Sequence, residues 1–433
     1  MNLDFDIIIV GAGLVGMSAA LALAHKTRLS VAVLDRHMPD ESLAPDFDGR
    51  ASALAASSFE MMTHLSISAA LEGHISPIEN IEIMDGGLSS SGMSAPLCFS
   101  GLPSQTHTEE APVSGGRPMG YMIENRRLRH ALLSSVLDHP HIRLLAPISI
   151  TGLDQTADAV RLHLSDGKSL SCRICVGADG GRSYIRREAG IKTRGWNYKQ
   201  KALVTTVSFE GDHKNTAYEA FFPQGPFAVL PMTPSLSSPF DRANSGANGR
   251  ANIVWSDHPE AIDAAKALPE DMFLSELSRR IGPRLGHLKQ VHKRWVYPLS
   301  LQLAEHYMKG RIVLVGDAAH LIHPIAGQGL NLGLRDGAAL ADEIVKAQKL
   351  GLDIGGSALS DYARWRRFDN QLMGFATDIF TRLYSTDKLP VKHMRRLGMG
   401  LLDKAGPAKH MVVKEAMGET GELPSLMQSL SAL

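Results

Sequence analysis

The stretch Asp6-Ile-Ile-Ile-Val-Gly-Ala-Gly-Leu-Val-Gly16 decides the fold of this chain. Its apolar run ends at Gly11, and apolar residues then recur at helical spacing from Leu14 to about Ala24. A second apolar run, Ser30-Val-Ala-Val-Leu34, comes next. This order predicts a strand, a tight turn, a helix and a second strand, which implies parallel pairing with a right-handed crossover.

The glycines of this turn match the G-x-G-x-x-G pattern that binds dinucleotides, with Asp35 about twenty residues further on. Glycine lets the backbone approach a pyrophosphate, whose charge the helix N-terminus stabilises. The carboxylate of Asp35 can accept hydrogen bonds from ribose hydroxyl groups. The predicted nucleotide contacts in this segment are Gly11, Gly13, Leu14, Val15, Gly16, Asp35 and Arg36. FAD and NAD sites share this pattern, and a glycine-rich turn without a ligand is the alternative.

A second segment, Gly177-Ala-Asp-Gly-Gly-Arg-Ser-Tyr-Ile-Arg186, directly follows a strand predicted over residues 169–176. An acid followed by glycine at a strand end suits a polar ligand that crosses the sheet edge, which makes Asp179 and Gly180 candidate cofactor contacts. Asp-Gly is also an ordinary turn, so this segment alone favours neither interpretation.

A third segment runs from Gly316 to Asp336 and is rich in glycine and small residues. Asp317 follows a buried strand predicted over residues 312–315, where a ribityl chain could come close enough to hydrogen-bond its carboxylate. Gly327 and Gly329 precede a predicted helix whose N-terminal dipole would favour the negative charge of a reduced flavin. The candidate cofactor contacts here are Gly316, Asp317, Pro324, Gly327, Gly329, Leu330 and Asn331.

Together the three segments resemble the class A flavoprotein monooxygenases, whose fold is typified by para-hydroxybenzoate hydroxylase, and the resemblance covers nearly the whole chain. It implies that FAD is the cofactor and that Asp317 holds its ribityl chain. It also implies that Asp179 and Gly180 lie where FAD and the nicotinamide donor pass, and that Pro324 sits beside the isoalloxazine.

Further stretches are similar to the ubiquinone-biosynthesis hydroxylases within that class. They are Asp48-Gly-Arg-Ala-Ser-Ala-Leu54, Gly120-Tyr-Met-Ile-Glu-Asn-Arg126, Trp196-Asn-Tyr-Lys-Gln200, Tyr218-Glu-Ala-Phe-Phe-Pro223, Val254-Trp255, and Asp369-Asn370 through Thr377-Asp378 to Arg382-Leu383. This narrower resemblance implies that Arg50, Asn125 and Arg126 contact FAD. It also implies a polyprenylated aromatic substrate and other ubiquinone-biosynthesis proteins as partners.

The predicted fold class is α/β, with a Rossmann-like FAD-binding domain, an inserted β-sheet substrate domain and a helical C-terminal tail. The predicted FAD-binding domain is discontinuous and comprises residues 1–75, 117–190 and 296–385. The predicted sheet domain comprises residues 76–116 and 191–295, and the tail residues 386–433. Within the sheet domain, the polar loop from Ser235 to Arg250 reads as an insertion.

The resemblance implies that NADPH or NADH reduces FAD, that O2 adds at flavin C4a, and that the resulting hydroperoxide attacks a phenol ring. The cofactor carries the hard chemistry, and the protein supplies a dry pocket and orienting groups. Because no second G-x-G-x-x-G follows a strand, we expect the nicotinamide donor to visit transiently. The alternatives are the same chemistry on a small soluble aromatic acid, or a non-catalytic FAD-containing subunit of a biosynthetic complex.

The candidate catalytic residues are His320, His323, Pro324 and Tyr218. The two histidines are spaced like metal ligands, but no carboxylate or cysteine completes a suitable pattern, so no metal site is expected. The alternative for the histidines is that they are packing residues or lie near the flavin, as a place in the sheet core is for Tyr218.

Composition excludes several other classes of protein. Lys plus Arg equals Asp plus Glu at 45 each, so no global field attracts nucleic acid. With three cysteines a disulfide framework is not expected. Cys172 and Cys175 form a C-x-x-C in a predicted strand, where they point to opposite faces.

The uncharged stretch from Ile7 to Ala24 has the minimum length of a membrane span, but glycines and Ser18 interrupt it. We therefore expect a cytoplasmic protein that at most binds the inner face of a membrane. Between Thr386 and Glu415, seven basic residues against three acidic ones are interspersed with apolar residues. This is typical of a membrane-binding surface and equally of the solvated faces of docked helices.

Overall fold

The computed structural model describes residues 3–39, 49–86, 96–101, 117–234, 249–323, 327–384 and 406–429. The strands within these ranges are β1 Phe5–Val10, β2 Val31–Leu34, β3 Ala51–Ala55, β4 Ile75–Ile78, β5 Asn80–Asp85, β6 Leu97–Ser100, β7 Gly120–Glu124, β8 Ile142–Leu145, β9 Ile150–Gln155, β10 Val160–Leu164, β11 Ser169–Gly177, β12 Thr193–Phe209, β13 Thr216–Phe222, β14 Gly225–Met232, β15 Gly249–Asp257, β16 Leu288–Val291, β17 Trp295–Ala304, β18 Met308–Lys309, β19 Ile312–Leu314 and β20 His320–Leu321. The helices are α1 Leu14–Lys26, α2 Ala56–His64, α3 Ser68–Leu71, α4 Asn125–Asp138, α5 Tyr184–Glu188, α6 Pro259–Ala267, α7 Glu270–Ile281, α8 Gln328–Lys349, α9 Ser357–Tyr384 and α10 Gly406–Ala416.

The first sheet is the parallel sheet that the glycine-rich stretch predicts. Its strand order is β18-β19-β11-β1-β2-β8, in which β18 runs antiparallel to β19. In addition, β10 pairs antiparallel with β11, and β9 pairs antiparallel with β10. β1 lies at its centre, with Ile7 level with Val31 on β2 and Ile174 on β11. Helix α1 packs against α8 and α4. The apolar residues of β1 and β2 are thereby buried, as in other α/β sheets.

The second sheet is almost entirely antiparallel. Its order is β20-β17-β12-β15-β14-β13-β5-β6, with β16 also beside β12, and only β13 and β5 run parallel. One face packs on α6 and α7, where Phe227, Trp255 and Phe273 share a core. The opposite face is turned toward the first sheet and carries smaller side chains such as Ala202 and Ala228.

A small third sheet of order β3-β7-β4 joins the other two. Thus the fold is α/β, with a mainly parallel sheet and a large antiparallel sheet, as the sequence predicts. β17 and β20 lie in the range predicted for the FAD-binding domain, yet they pair into the second sheet. The division of the chain into domains therefore stays a proposal.

The last described residues pack onto the rest of the chain. The side chains of Leu426 and Met427 are buried in the core of the first sheet. Asp342 on α8 accepts hydrogen bonds from the backbone and side chain of Ser425. Part of the predicted tail is therefore docked on the molecule, whereas its residues 386–405 and 430–433 lie outside the described residues.

Across the described residues, no helix is both long and apolar enough to span a lipid bilayer.

Candidate functional site

The glycine-rich turn between β1 and α1 is shaped by close backbone contacts. Gly11 has φ +111°, and a Cβ there would lie 2.4 Å from the carbonyl oxygen of Ala178 at the end of β11. A Cβ on Gly16 would lie 1.9 Å from the carbonyl oxygen of Gly11. At Gly13, by contrast, a Cβ would meet nothing within 4 Å, and no side chain caps the N-terminus of α1. The helix N-terminus therefore opens onto free space, where its N–H groups can face an anion.

Asp35 follows β2 and holds this turn in place. Its Oδ2 accepts a hydrogen bond from the Ala12 N–H at 2.7 Å, and its Oδ1 accepts one from the His37 N–H at 2.9 Å. Each oxygen keeps a further lone pair, so a ribose contact remains a prediction. Arg36, beside it, is exposed.

The second predicted segment is fixed by its own backbone. Asp179 accepts hydrogen bonds from the N–H groups of Tyr184 and Ile185 at the start of α5 through Oδ2, at 2.6 and 3.2 Å. Its Oδ1 is buried without a hydrogen-bond partner among the described residues. Gly180, at φ +80°, lines an open cavity.

The third segment meets the second one and the small sheet. Arg186 donates hydrogen bonds to the carbonyl oxygens of Ala318 and Gly181, both at 2.8 Å, which joins the second and third segments. Asn331 accepts a hydrogen bond from the Ala55 N–H at 2.9 Å and donates one to the Ala53 carbonyl oxygen at 3.0 Å. These bonds fix the start of α8 against β3.

The side chain of Asp317 points into the same cavity and is exposed to that space. The protein atoms that surround the carboxyl group keep bulk water away and raise its pKa, whereas the nearby His320 lowers it. Gly327 adopts φ +64° at the start of α8, and a Cβ on Gly329 would meet nothing within 4 Å. Pro324 lies outside the described residues.

His320 does not line the cavity. Its side chain is fully buried, and Nε2 lies 2.6 Å from Oδ2 of Asp336, which also accepts a hydrogen bond from the Gly316 N–H at 3.0 Å. The other Asp336 oxygen, Oδ1, accepts from Arg366 at 2.8 Å and Asn370 at 3.0 Å. Burial opposes ionisation of Asp336, but His320 and Arg366 hold its pKa at about 2. The structure thus gives His320 a place in a buried charged network that positions the Gly316 turn.

His323 is also fully buried and stands edge-on to Tyr198, with ring centroids 5.1 Å apart. Neither ring nitrogen has a hydrogen-bond partner among the described residues. Burial lowers the pKa of His323 to about 4, against the opposing charge of Asp378. His323 is therefore neutral near pH 7 and lies behind the cavity wall that Leu321 and Ile322 form.

Arg50, Asn125 and Arg126 gather at one end of the small sheet and do not line the cavity. The Asn125 N–H donates to the Arg50 carbonyl oxygen at 3.1 Å. The Arg50 guanidinium lies 4.8 Å from the ring centroid of Trp295, and Arg126 pairs with Glu124 at 2.8 Å. Their contacts with FAD stay a prediction.

The cavity has a volume of about 710 Å³ and separates the two large sheets. Of the predicted site residues, those that line it are Gly13, Leu14, Val15, Gly180, Asp317, Gly327, Gly329, Leu330, Asn331 and Tyr218. The side chain of Tyr218, however, packs in the core on the far side of the second sheet, which agrees with the alternative that Tyr218 is a core residue. Its neighbour Glu219, which is not among the residues predicted from the sequence, faces the cavity. Alternation along the strand would have placed these two side chains on opposite faces.

The residues around the cavity are suited to binding FAD in three respects. The N-termini of α1 and α8 lack side-chain caps. Gly13, Gly180 and Gly329 leave open space where any side chain would stand. The unpartnered buried oxygen of Asp179 can accept a hydrogen bond.

The described residues give less support to a metal site or to reactive thiols. They contain no group of three His, Cys, Asp or Glu side chains placed to hold a metal ion. Cys172 and Cys175 are buried free thiols, and burial raises the pKa of Cys172 to about 12. A thiolate is therefore disfavoured at this C-x-x-C.

Comparison with known proteins agrees with the geometry. Residues 4–361 match the family model described as "FAD binding domain". The chain is 42% identical to the ubiquinone hydroxylase UbiL of Rhodospirillum rubrum, over 98% of this chain and 93% of that protein. It is 31% identical to the 3-demethoxyubiquinol 3-hydroxylase of Escherichia coli, over 96% and 99% respectively.

Solved structures share the fold at lower identity. The p-nitrophenol 4-monooxygenase PnpA of Pseudomonas putida matches with a TM-score of 0.72 at 18% identity, covering 98% of this chain and all of that one. PqsL of Pseudomonas aeruginosa, described as a probable FAD-dependent monooxygenase, matches with a TM-score of 0.68 at 21% identity, covering 91% of this chain and 99% of that one.

Proposed function

This chain belongs to the FAD-binding-domain family of flavin-dependent monooxygenases, and from that premise we propose that it hydroxylates the aromatic ring of a polyprenylated phenol in ubiquinone biosynthesis. The reaction uses NADH or NADPH, which visits the flavin and leaves, and O2. One oxygen atom enters the ring and the other leaves as water.

The composition of the cavity wall is the observation that carries this proposal. The described residues that line the cavity include no Arg, Lys or His, and most of them are apolar. A small aromatic acid would need a cation to pair with its carboxylate in such an enclosed site. A phenol with an apolar chain needs no such partner. The cavity therefore favours the polyprenylated substrate over the aromatic acid.

FAD, once reduced, supplies the activation of O2 and the transfer of one oxygen atom. The residues that would hold it are the N-terminal turns of α1 and α8, Asp179 and Asp317. The second sheet forms the opposite wall, which excludes water from the substrate ring.

Incubation of the FAD-loaded protein with a short-chain prenylated phenol, NADPH or NADH and isotopically heavy O2 tests the proposal. We expect the ring product to carry one heavy oxygen atom by mass spectrometry, and the phenol to stimulate NAD(P)H oxidation. Para-hydroxybenzoate, as the aromatic-acid control, should do neither. Bound FAD without stimulation by the phenol would point instead to the non-catalytic subunit, and stimulation by the acid alone to the soluble substrate.

We also propose that the protein is cytoplasmic and contacts the inner face of the membrane, where a polyprenylated substrate dissolves. Four exposed apolar side chains of α9 support this contact: Phe368, Leu372, Phe375 and Ile379, which are 51–70% exposed. Their spacing of three and four residues puts them on one face of the helix. The basic stretch 386–415 begins just beyond it in the chain. The same face is available to other proteins of ubiquinone biosynthesis.

Replacing Phe368 and Phe375 together by Glu should lower co-sedimentation with anionic liposomes several-fold, because two apolar anchors are lost and two negative charges gained. The matched control is Leu137→Glu on α4, which changes an exposed apolar side chain elsewhere. Sedimentation of the double variant at the wild-type level would rule out this face as the membrane contact.

A further inference from the structure

Glu219 stands on β13 with its side chain directed into the cavity. Along this strand the side chains alternate: Tyr218 and Ala220 pack in the core behind the second sheet, whereas Ala217 and Glu219 line the cavity. The strand register places Glu219 level with Ala228 on β14, which lines the same wall.

The surroundings of Glu219 are apolar. Level with it on β5 is Ile83, and two residues along its own strand Phe221 faces the same side; both belong to one apolar cluster with Met119 and Met417. Among the described residues, the Glu219 carboxylate has no hydrogen-bond or ion-pair partner. Burial alone raises its pKa to about 7. Such a carboxyl group changes its charge near neutral pH, as a general base requires.

Few other titratable groups share this space. Those lining the cavity with Glu219 are Asp317 on the opposite wall, Tyr218 on the same strand, and Tyr297 on β17. The elements next to Glu219 add none, because β5, β14 and α10 present Ile81, Ala228 and Ala416 to the cavity. The neighbouring acid Glu82 is level with Tyr218 and thus faces the other side of the sheet.

The two cavity carboxylates occupy different walls. Asp317 belongs to the wall of glycine turns that would hold FAD, whereas Glu219 belongs to the wall of the second sheet. The candidate histidines His320 and His323 are fully buried and do not line the cavity. Glu219 is therefore the carboxylate on the wall assigned to the substrate ring.

We propose that Glu219 is the catalytic base that binds the phenol hydroxyl group and takes its proton, an inference that rests on the proposed function. The O–H bond breaks, the proton moves to a carboxylate oxygen of Glu219, and the electron pair stays on the phenolate oxygen. That charge raises the electron density of the ring carbons that accept oxygen. When the oxygenated ring loses its carbon-bound proton to water, Glu219 returns its proton to the ring oxygen and is ionised again.

Binding to the oxidised holoenzyme tests the contact without turnover. Because the phenol hydroxyl donates to the ionised carboxylate, affinity for a short-chain prenylated phenol should rise about tenfold between pH 6 and pH 8 as Glu219 loses its proton. Glu219→Gln should abolish this dependence, and Glu82→Gln should preserve it. The methyl ether of the phenol has no proton to donate, so its binding should not strengthen as pH rises.

Turnover tests the proton transfer. Glu219→Gln should retain FAD, while hydroxylated product falls by about 100-fold or more, the usual contribution of a general base. Wild-type product yield and wild-type pH dependence in Glu219→Gln would overturn the role of Glu219 and leave the proposed function intact. A wild-type protein that binds the phenol but never hydroxylates it would overturn both.

Discussion

Asp336→Ala will lower the free energy of unfolding by about 3–5 kcal/mol, the usual cost of removing one partner from a buried ion pair. The guanidinium of Arg366 is fully buried and would keep Asp369 as its remaining anionic partner, at 2.7 Å. The substitution also removes the acceptor for the Gly316 N–H and for His320. Chemical denaturation of the FAD-free protein measures the change.

The matched control for this prediction is Asp361→Ala. Asp361 pairs with an arginine too, but that partner, Arg364, lies one turn further along α9 and is 79% exposed. Exposed ion pairs contribute about 0–1 kcal/mol, so we expect little change. Asp336→Asn keeps a hydrogen-bond acceptor, so its free energy of unfolding should lie between those of Asp336→Ala and Asp361→Ala. It replaces Asp336→Ala in the comparison if that variant fails to fold. Equal stability of all three variants would show that the buried network contributes nothing.

The same network predicts how stability depends on acid. The pKa of Asp336 is held at about 2 in the folded protein, below its ordinary value of 3.8. A group whose folded pKa is depressed contributes stability above its unfolded pKa, and that contribution is lost as pH falls through the folded value. Wild type should therefore lose stability relative to Asp336→Asn between about pH 4 and pH 2. Parallel acid titrations of the two proteins would contradict this.

Asp317→Ala will purify with little FAD while remaining folded. A hydrogen bond to a charged group contributes about 1.5–3 kcal/mol, which corresponds to FAD binding weaker by roughly 10- to 100-fold. The side chain lines the cavity and makes no hydrogen bond with the described residues, so its loss should leave the fold intact. The flavin-to-protein absorbance ratio and the circular dichroism spectrum give the two readouts.

Asp166→Ala provides the comparison, because Asp166 lies in the exposed turn between β10 and β11 and its loss should leave FAD content unchanged. Full retention of FAD by Asp317→Ala would show that the third glycine-rich segment does not hold the cofactor. The proposal that it faces the flavin would then fall.

Local patterns predicted the elements of the fold well. The glycine turn and its flanking apolar runs predicted β1, α1 and β2. These features depend on contacts between residues near in the chain. The cofactor could also be predicted from the sequence, because the three segments that indicate FAD all occur along the chain in the expected order.

Long-range contacts explain what the sequence analysis missed. Asp336, Arg366 and His320 meet across three different elements, and nothing in their spacing shows that the histidine turns inward. Strand alternation separates Tyr218 from Glu219, but only the placement of α6 and α7 decides which of them faces the cavity. The tyrosine was therefore the residue predicted from the sequence, whereas in the structure the Glu219 carboxylate faces the cavity.

Helix α10 and the residues after it complete the cavity wall and the core of the first sheet, to which β1 also belongs. Ala416 lines the cavity, and Met427 fills the core beneath the parallel sheet. A polypeptide that lacks α10 would therefore leave a gap in the cavity wall at the position of Ala416.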